Sequence, residues 1–106
     1  MDEIVVVAIL TVKEGMSDRA LEVFRPVIEA THQEPGCVSY ALHRDNSDPD
    51  RLVLVEKWLS QDDLDAHFQQ PHMAEMGSLA GELLAEPPLI VFSSAIPVGE
   101  PDKGLI

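Results

Sequence analysis

Residues 3–13, EIVVVAILTVK, restrict the possible folds of this chain more than any other segment. An almost unbroken run of β-branched and aliphatic residues is typical of a strand that is buried on both faces. Successive side chains of a strand point to opposite faces of the sheet. The two faces carry Val5, Val7 and Ile9 on one side and Ile4, Val6 and Leu10 on the other. A sheet built on this strand must therefore be covered on both faces.

The rest of the chain predicts three more strands and two helical regions. Helical spacing of apolar residues predicts a helix over 18–33, and strand-like segments follow at 37–45 and 51–59, separated by the turn sequence NSDPD. A short helix begins after Ser60, Pro71 breaks it and opens a second one, and residues 89–98 form the last strand. The order β-α-β-β-α-β predicts a ferredoxin-like α+β sandwich, a four-stranded antiparallel sheet with helices on one face.

A single layer of helices leaves the other face of this sheet open to water. In a chain of 106 residues the partner that best covers an apolar sheet face is a second copy, so we expect a homodimer. We expect one domain over residues 1–98, followed by a C-terminal tail over 99–106.

Charge and cysteine content limit the partners and the compartment. Nineteen acidic against seven basic residues give a formal net charge of −12, which argues against nucleic acid and anionic membrane as partners. The first strand is too short to cross a bilayer, and two acids at its start are unlike a secretory signal. The single cysteine excludes an intrachain disulfide and fits a reducing compartment, so we expect a cytoplasmic protein.

Two of the four histidines, His67 and His72, lie within the segment DAHFQQPHMAEM. On one unbroken helix they would point about 140° apart, and no Asp or Glu cluster completes a ligand set, so we expect no metal site. Because Pro71 breaks the helix, both rings can instead lean into the space between helices and sheet. A neutral imidazole there can accept a proton from a phenol or an enol. The alternative is that both histidines border the core and bond to the backbone.

Glu56 interrupts the apolar strand LVLVEKWL and shares a face with Trp58. A buried carboxylate must be paired or have a raised pKa, and either is typical of a functional site. The preceding strand offers Tyr40, His43 and Arg44 as partners. A structural ion pair across the sheet or the dimer would explain Glu56 equally well.

Three segments carry a resemblance to a known family: EPGCVSY at 34–40, VEKW at 55–58 and AHFQQPHM at 66–73. Together with the valine-rich first strand and EPPLIVFSSAIPV near the end, the chain resembles the antibiotic biosynthesis monooxygenase family over residues 4 to 98. The resemblance implies a dimeric α/β barrel built from ferredoxin-like units. It also implies oxidation of a quinol or polyketide-like phenol by O₂ without a cofactor, in which the substrate carbanion reduces the oxygen.

Other branches of this family degrade haem or isomerise a phosphorylated sugar. Haem-degrading members carry an Asn on the first strand, a Trp on the short helix and a later His. The corresponding places here hold apolar residues near Val7 and Ala8, then His67, and Gly77 or its neighbours, which disfavours haem degradation. The segment that contains His67 and His72 resembles both the isomerases and the quinol oxidisers, so it does not distinguish between these two activities.

We therefore expect a monooxygenase in which His67 or His72 is the base and Glu56 orients a partner. The residues expected to line the substrate pocket are Tyr40, His43, Trp58, Phe68 and Met76. The alternatives are an isomerase of the same fold and a dimeric binding or stress-response module that holds a small hydrophobic ligand without reaction.

Overall fold

Residues 2–106, which the computed structural model describes, form eight helices and strands. In chain order they are β1 (Ile4–Thr11), α1 (Ser17–Thr31), β2 (Cys37–Asp45), β3 (Asp48–Trp58), α2 (Gln61–Phe68), α3 (Pro71–Leu83), β4 (Leu89–Ser93) and α4 (Pro101–Gly104). The predicted β-α-β-β-α-β order is confirmed, with the second helical region split into α2 and α3. Within this described range, no helix combines the length and the apolar character needed to span a membrane.

The four strands form one antiparallel sheet in the order β2-β3-β1-β4, as a ferredoxin-like fold requires. The register aligns Glu56 of β3 with Tyr40 of β2 on one side and with Val6 of β1 on the other. Val6 in turn faces Phe92 of β4. These four residues therefore form one row across the sheet, and their side chains lie on the same face.

The helices cover the face that carries this row, which we call the inner face. Two buried clusters join helices and sheet, one at each end of the molecule. The first contains Val6, Ala8, Tyr40, Leu54, Trp58 and Leu64. The second contains Val12, Ala20, Phe24, Leu52 and Leu83. Because α1, α2 and α3 all contribute to these clusters, the helix layer lies on one side of the sheet, as predicted.

The opposite face of the sheet, which we call the outer face, is apolar too. Its residues are Val5, Val7, Ile9, Val53, Val55, Leu89 and Val91. The five on β1 and β3 are half-buried between neighbouring strands, whereas Leu89 and Val91 on the edge strand β4 are exposed. The prediction that both faces of β1 are apolar is confirmed.

Two predicted boundaries are wrong by more than two residues. Asp45 pairs directly with Asp48, so the hairpin turn is shorter than the predicted loop 46–50, and the Asp45 carboxylate tightens it by accepting the Ser47 N–H at 2.8 Å. β4 ends at Ser93 instead of residue 98, because Ser93 already faces Val5 and β1 offers almost no further partner beyond that point.

The turn between α1 and β2 docks tightly on the start of α2. A Cβ at Gly36 would overlap the side chain of Asp63, so this close approach requires glycine. Asp63 is itself held by the helix cap: Ser60 Oγ accepts its N–H at 3.2 Å and donates to its Oδ2 at 2.8 Å. The segment around Glu34 is thereby fixed against α2.

We expect Gly36→Ala to lower the free energy of unfolding by about 1–3 kcal/mol, because the added methyl group must displace a capped aspartate. Urea unfolding measures this change. The matched control is Gly77→Ala in α3, where an added Cβ has no heavy atom within 4 Å. This control should raise the free energy of unfolding by roughly 0.5–1 kcal/mol through helix propensity. Equal effects of the two substitutions would show that the Gly36 contact does not fix the turn.

Candidate active site

Glu34, His67 and His72 converge on one atom, and we call them the Glu34 cluster. Nδ1–H of His67 donates to Oε2 of Glu34 at 2.8 Å, and Nε2–H of His72 donates to the same oxygen at 2.9 Å. The side chain of His67 is 1% exposed, that of Glu34 is 9% and that of His72 is 16%. One carboxylate oxygen thus holds two imidazole rings in a site that is largely closed to water.

Three separate elements bring these side chains together. Glu34 lies in the turn after α1, where its N–H bonds to the carbonyl of Thr31. His67 lies in the last turn of α2, and its carbonyl accepts the N–H of Gln70. Pro71 then begins α3, and His72 follows it directly. The break at Pro71 places the two ring centroids 6.0 Å apart.

The expectation that no carboxylate joins the two histidines is wrong. The donor atoms of Glu34, His67 and His72 all lie within 4.8 Å of one another. Glu34 is 33 residues from His67 and 38 from His72 along the chain, so no local spacing could reveal this contact. Its sequence context, just before Pro35 and Gly36, indicated only the end of a helix.

The ring of His67 is surrounded by other aromatic rings. Trp58 lies 4.5 Å from it between centroids, Phe68 5.4 Å and Tyr40 5.5 Å. Burial lowers the pKa of His67, although the hydrogen bond and the charge of Glu34 act in the opposite direction. The neutral ring is therefore favoured at neutral pH. Because Nδ1 carries the proton that bonds to Glu34, the free lone pair is on Nε2.

Glu56 is buried on the inner face, as the strand alternation predicted. Nε1–H of Trp58 donates to its Oε1 at 2.9 Å, so its partner is two residues along the same strand. Burial raises the pKa of Glu56 to about 7; the Trp58 hydrogen bond opposes this shift and the charge of Glu34 adds to it. Near neutral pH the protonated and the ionised forms of this carboxyl group are therefore both populated.

Tyr40 is buried and faces Glu56 across the β2–β3 pair. Burial, followed by the charges of Glu56 and Glu34, raises the pKa of its hydroxyl well above the ordinary value. Tyr40 therefore stays protonated and contributes a hydroxyl and an apolar ring. Its ring meets that of Trp58 edge to face at 6.3 Å. We call Tyr40 and Trp58, whose rings both lie beside that of His67, the aromatic wall.

Two of the predicted pocket residues lie away from the cluster. His43 projects to the outer face, because it is an odd number of residues from Tyr40 on β2, and its Nδ1 is 3.3 Å from the carbonyl oxygen of Val53. Met76 packs against the second buried cluster at the other end of the helix layer. The interpretation of both as substrate-binding residues is not supported by their positions.

The helical pattern predicted that Phe68 points inward. In the structure it is 45% exposed. Its ring meets that of Phe92 edge to face at 6.3 Å, and Phe92 lies on the same face of β4 as the exposed Ile90. We call Phe68, Ile90 and Phe92 the apolar shelf. It lies beside His67 on the inner face, where helices leave β4 uncovered. Phe92 is not among the predicted pocket residues, since alternation alone does not show which part of a face the helices reach.

Comparison with known proteins agrees with this fold. Residues 3–78 match the family model described as antibiotic biosynthesis monooxygenase, and the chain belongs to this family. It is 31% identical over 90 residues to the "Probable quinol monooxygenase YgiN" of Escherichia coli, covering 74% of this chain and 86% of that protein. A solved structure titled as an antibiotic biosynthesis monooxygenase superimposes with a TM-score of 0.83 at 30% identity, covering 89% of this chain and 99% of the other.

A further relative is an uncharacterized protein of Synechocystis sp., 33% identical over 86 residues that cover 81% of this chain. The aligned part spans only 58% of the Synechocystis protein, so that relative contains a substantial additional segment.

The raised pKa of Glu56 has a measurable effect on stability. The folded-state pKa of about 7 exceeds the ordinary 4.5, so the folded protein binds more protons than the unfolded chain between these values. The free energy of unfolding should therefore fall as pH rises from 5 to 8. Glu56→Gln keeps an acceptor for Trp58 and cannot ionise. The free energy of unfolding of Glu56→Gln minus that of wild type should therefore increase by about 1–3 kcal/mol between pH 5 and pH 8.

Urea unfolding at several pH values measures this difference. Glu29→Gln, which removes an exposed carboxylate from α1, reports the general effect of losing one negative charge. A pH-independent difference between Glu56→Gln and wild type would contradict the assignment of a proton to Glu56 near neutral pH.

Proposed function

We propose that this protein is a cofactor-independent monooxygenase that oxidises a small quinol or polyketide-like phenol with O₂. The family supports the reaction class, and the name of the Escherichia coli relative supports the substrate class. The observation that carries the proposal is the shared oxygen of Glu34, which fixes two imidazoles beside an aromatic wall. A base that is oriented by a carboxylate and shielded from water is the machinery that such chemistry needs from a protein.

In this proposal His67 is the base. Its Nδ1–H is held by Glu34, and Nε2 is the nitrogen that can receive a proton. Once protonated, the ring becomes an imidazolium next to the Glu34 carboxylate, which stabilises the charge. His72 donates to the same oxygen and keeps Glu34 in place. Glu34 thus takes the orienting role that the sequence analysis gave to Glu56.

The reaction is balanced without an external reductant. The base removes a proton from the substrate, the resulting carbanion transfers its electrons to O₂, and a carbon–oxygen bond forms to give a hydroperoxide. This intermediate takes up the proton and loses water, so that AH₂ and O₂ give AO and H₂O. Both electrons that reduce the second oxygen atom come from the substrate. The protein contributes orientation, proton transfer and exclusion of water.

The apolar shelf is the proposed contact surface for the substrate ring. Phe68, Ile90 and Phe92 are 45%, 42% and 54% exposed, which is unusual for large apolar side chains beside a buried histidine. A flat aromatic substrate placed there would bury these side chains and lie next to the ring of His67. Tyr40 and Trp58 form the inner wall behind that ring.

Oxygen uptake with reduced menadione or an anthrone tests the proposal. With ¹⁸O₂, we expect protein-dependent uptake that places one labelled atom in the product. Because general base catalysis contributes about 10²–10⁴-fold, His67→Gln should lower kcat by that factor. Recovery of all consumed oxygen as H₂O₂, or a rate no greater than the background oxidation, would contradict a monooxygenase.

Three further variants separate the roles within the site. Glu34→Gln should lower kcat because it no longer stabilises the imidazolium, while Phe92→Ala should mainly raise KM because it removes part of the shelf. Glu29→Gln, which removes an exposed carboxylate from α1, is the matched control for Glu34→Gln and should behave like wild type. If ligand binding is observed for wild type without any oxygen uptake, the alternative of a non-catalytic binding module is favoured.

We further propose that the working form is a homodimer in which two outer faces pack together. The outer face places β-branched and aliphatic side chains over three adjacent strands, with Leu89 61% and Val91 48% exposed. At about 25 cal/mol per Å² of apolar surface, leaving several hundred Å² in water forfeits on the order of 10 kcal/mol. That is comparable to the whole stability of a small domain. The reduced thiol of Cys37 fits a cytoplasmic location for this dimer.

Sedimentation velocity at micromolar concentration should give twice the chain mass of 11.6 kDa. Val55→Lys places a charge at the middle of the outer face, between Val7 and Ala41 in the sheet register, and should shift the species toward monomer. Ala74→Lys introduces the same charge on an exposed position of α3 and serves as the control. A well-folded wild-type monomer would overturn the dimer.

A further inference from the structure

The Glu34 cluster contains the donor set of a metal site. Two imidazole nitrogens and one carboxylate oxygen suit borderline first-row ions such as Zn²⁺, whereas Mg²⁺ and Ca²⁺ prefer sets made of oxygen alone. All three donor atoms lie within 4.8 Å of one another, and each histidine already directs one nitrogen at the carboxylate. A core histidine that is only hydrogen-bonded does not require three metal-binding donor atoms to converge on one point.

We propose that Glu34, His67 and His72 bind a divalent transition-metal ion of the zinc class, and that the bound ion switches off the base. The second half rests on the proposed monooxygenase function; the first half does not. The ion and the two hydrogen-bonding protons compete for the same atoms, since the metal takes the space between Nδ1 of His67, Nε2 of His72 and Glu34.

The side chains must shift to accept the ion, because the three donor atoms, which now lie within 4.8 Å of one another, must all come to similar separations. In tetrahedral coordination with bonds near 2.0–2.1 Å, neighbouring donor atoms lie about 3.3 Å apart. The present N···O distances of 2.8 and 2.9 Å must therefore lengthen by about 0.5 Å. His72 is the most exposed member of the cluster at 16% and stands in the first turn of α3, so its side chain can move outward and also marks the entry path.

Metal binding would change the tautomer of His67. A neutral imidazole that coordinates through Nδ1 must carry its proton on Nε2. The nitrogen that accepts the substrate proton in the proposed reaction would then become a donor. The metal-bound protein should therefore lack the base even though the apolar shelf remains open. This predicts inhibition that a chelator reverses.

The binding half is tested by Zn²⁺ titration against a chromophoric chelator, with excess Mg²⁺ present to occupy exposed carboxylates. We expect one tight Zn²⁺ per wild-type chain and a raised Tm. Loss of partners that merely orient a ligand already costs about 10–100-fold in affinity, so Glu34→Gln and His72→Gln should each bind at least about 100-fold more weakly. Both replaced side chains are partly exposed, and far-UV circular dichroism checks that each variant is folded.

Two control variants keep the binding assignment specific. His43→Gln removes an exposed histidine on the other face of the sheet, and Cys37→Ser removes the only thiol of the chain. Both should bind Zn²⁺ as wild type does. Wild-type affinity in folded Glu34→Gln and His72→Gln, or the absence of tight Zn²⁺ binding by wild type, would overturn the site.

Oxygen uptake measured before and after Zn²⁺ loading tests the inhibitory half. We expect loss of uptake in proportion to occupancy and full recovery with EDTA. Undiminished or faster uptake by the fully loaded protein would overturn inhibition. If the metal-free protein shows no uptake at all, the proposed monooxygenase function fails and inhibition fails with it, while the Zn²⁺ titration still decides the metal site on its own.

Discussion

Oxygen Oε2 of Glu34 is the point at which three segments of the chain meet. It accepts one N–H from the end of α2 and another from the start of α3, and it belongs to the turn that follows α1. The side chain of His67 is 1% exposed, so without this acceptor its N–H would be a buried donor with no partner. The positions of both rings therefore depend on one side chain. Gly36 and the capped Asp63 hold that side chain in place through the backbone.

The charge distribution explains how so acidic a chain can have an almost uncharged interior. The formal net charge is −12, yet the groups around His67 are kept near neutrality by burial. The pKa of Glu56 is raised to about 7, that of Tyr40 is raised far above neutral pH, and that of His67 is lowered. Burial thus disfavours the charged forms of Glu56, Tyr40 and His67, and uncharged groups make these surroundings more favourable to apolar molecules. The main negative charge of the site is on Glu34, where two N–H donors compensate it.

The sequence predicted those parts of the site that depend on local periodicity. Alternation along β3 placed Glu56 and Trp58 on the buried face, and helical spacing with Pro71 turned His67 and His72 inward. Glu34 could not be found in this way, because its contacts span 33 and 38 residues and depend on how one turn docks on α2. Strict use of alternation would have excluded His43, since it lies three residues from Tyr40.

The fold is predictable for the same reason. The predictions that differ from the structure concern the ends of elements and the edge of the sheet. β-branched runs and breaker residues identify strands and helices, but the length of β4 depends on where its partner β1 begins, which is not a local property. The apolar stripe of α3 indicates burial of Met76 without indicating which of the two buried clusters it joins. Phe92 was missed because exposure on the inner face depends on the reach of the helix layer.

The two faces of the sheet connect the proposed dimer to the site. Val7 and Val55 of the outer face alternate along β1 and β3 with Val6 and Glu56 of the inner face. Packing one face against a second chain would hold the backbone of both strands, and therefore the register of Glu56 with Tyr40 and Val6. Ile90 and Phe92 of the apolar shelf lie on β4, an edge strand of 5 residues that is hydrogen-bonded on one side only. A partner on Leu89 and Val91 would thus fix the strand that carries Ile90 and Phe92 without touching the substrate. On this reasoning, formation of the proposed dimer would also order the apolar shelf.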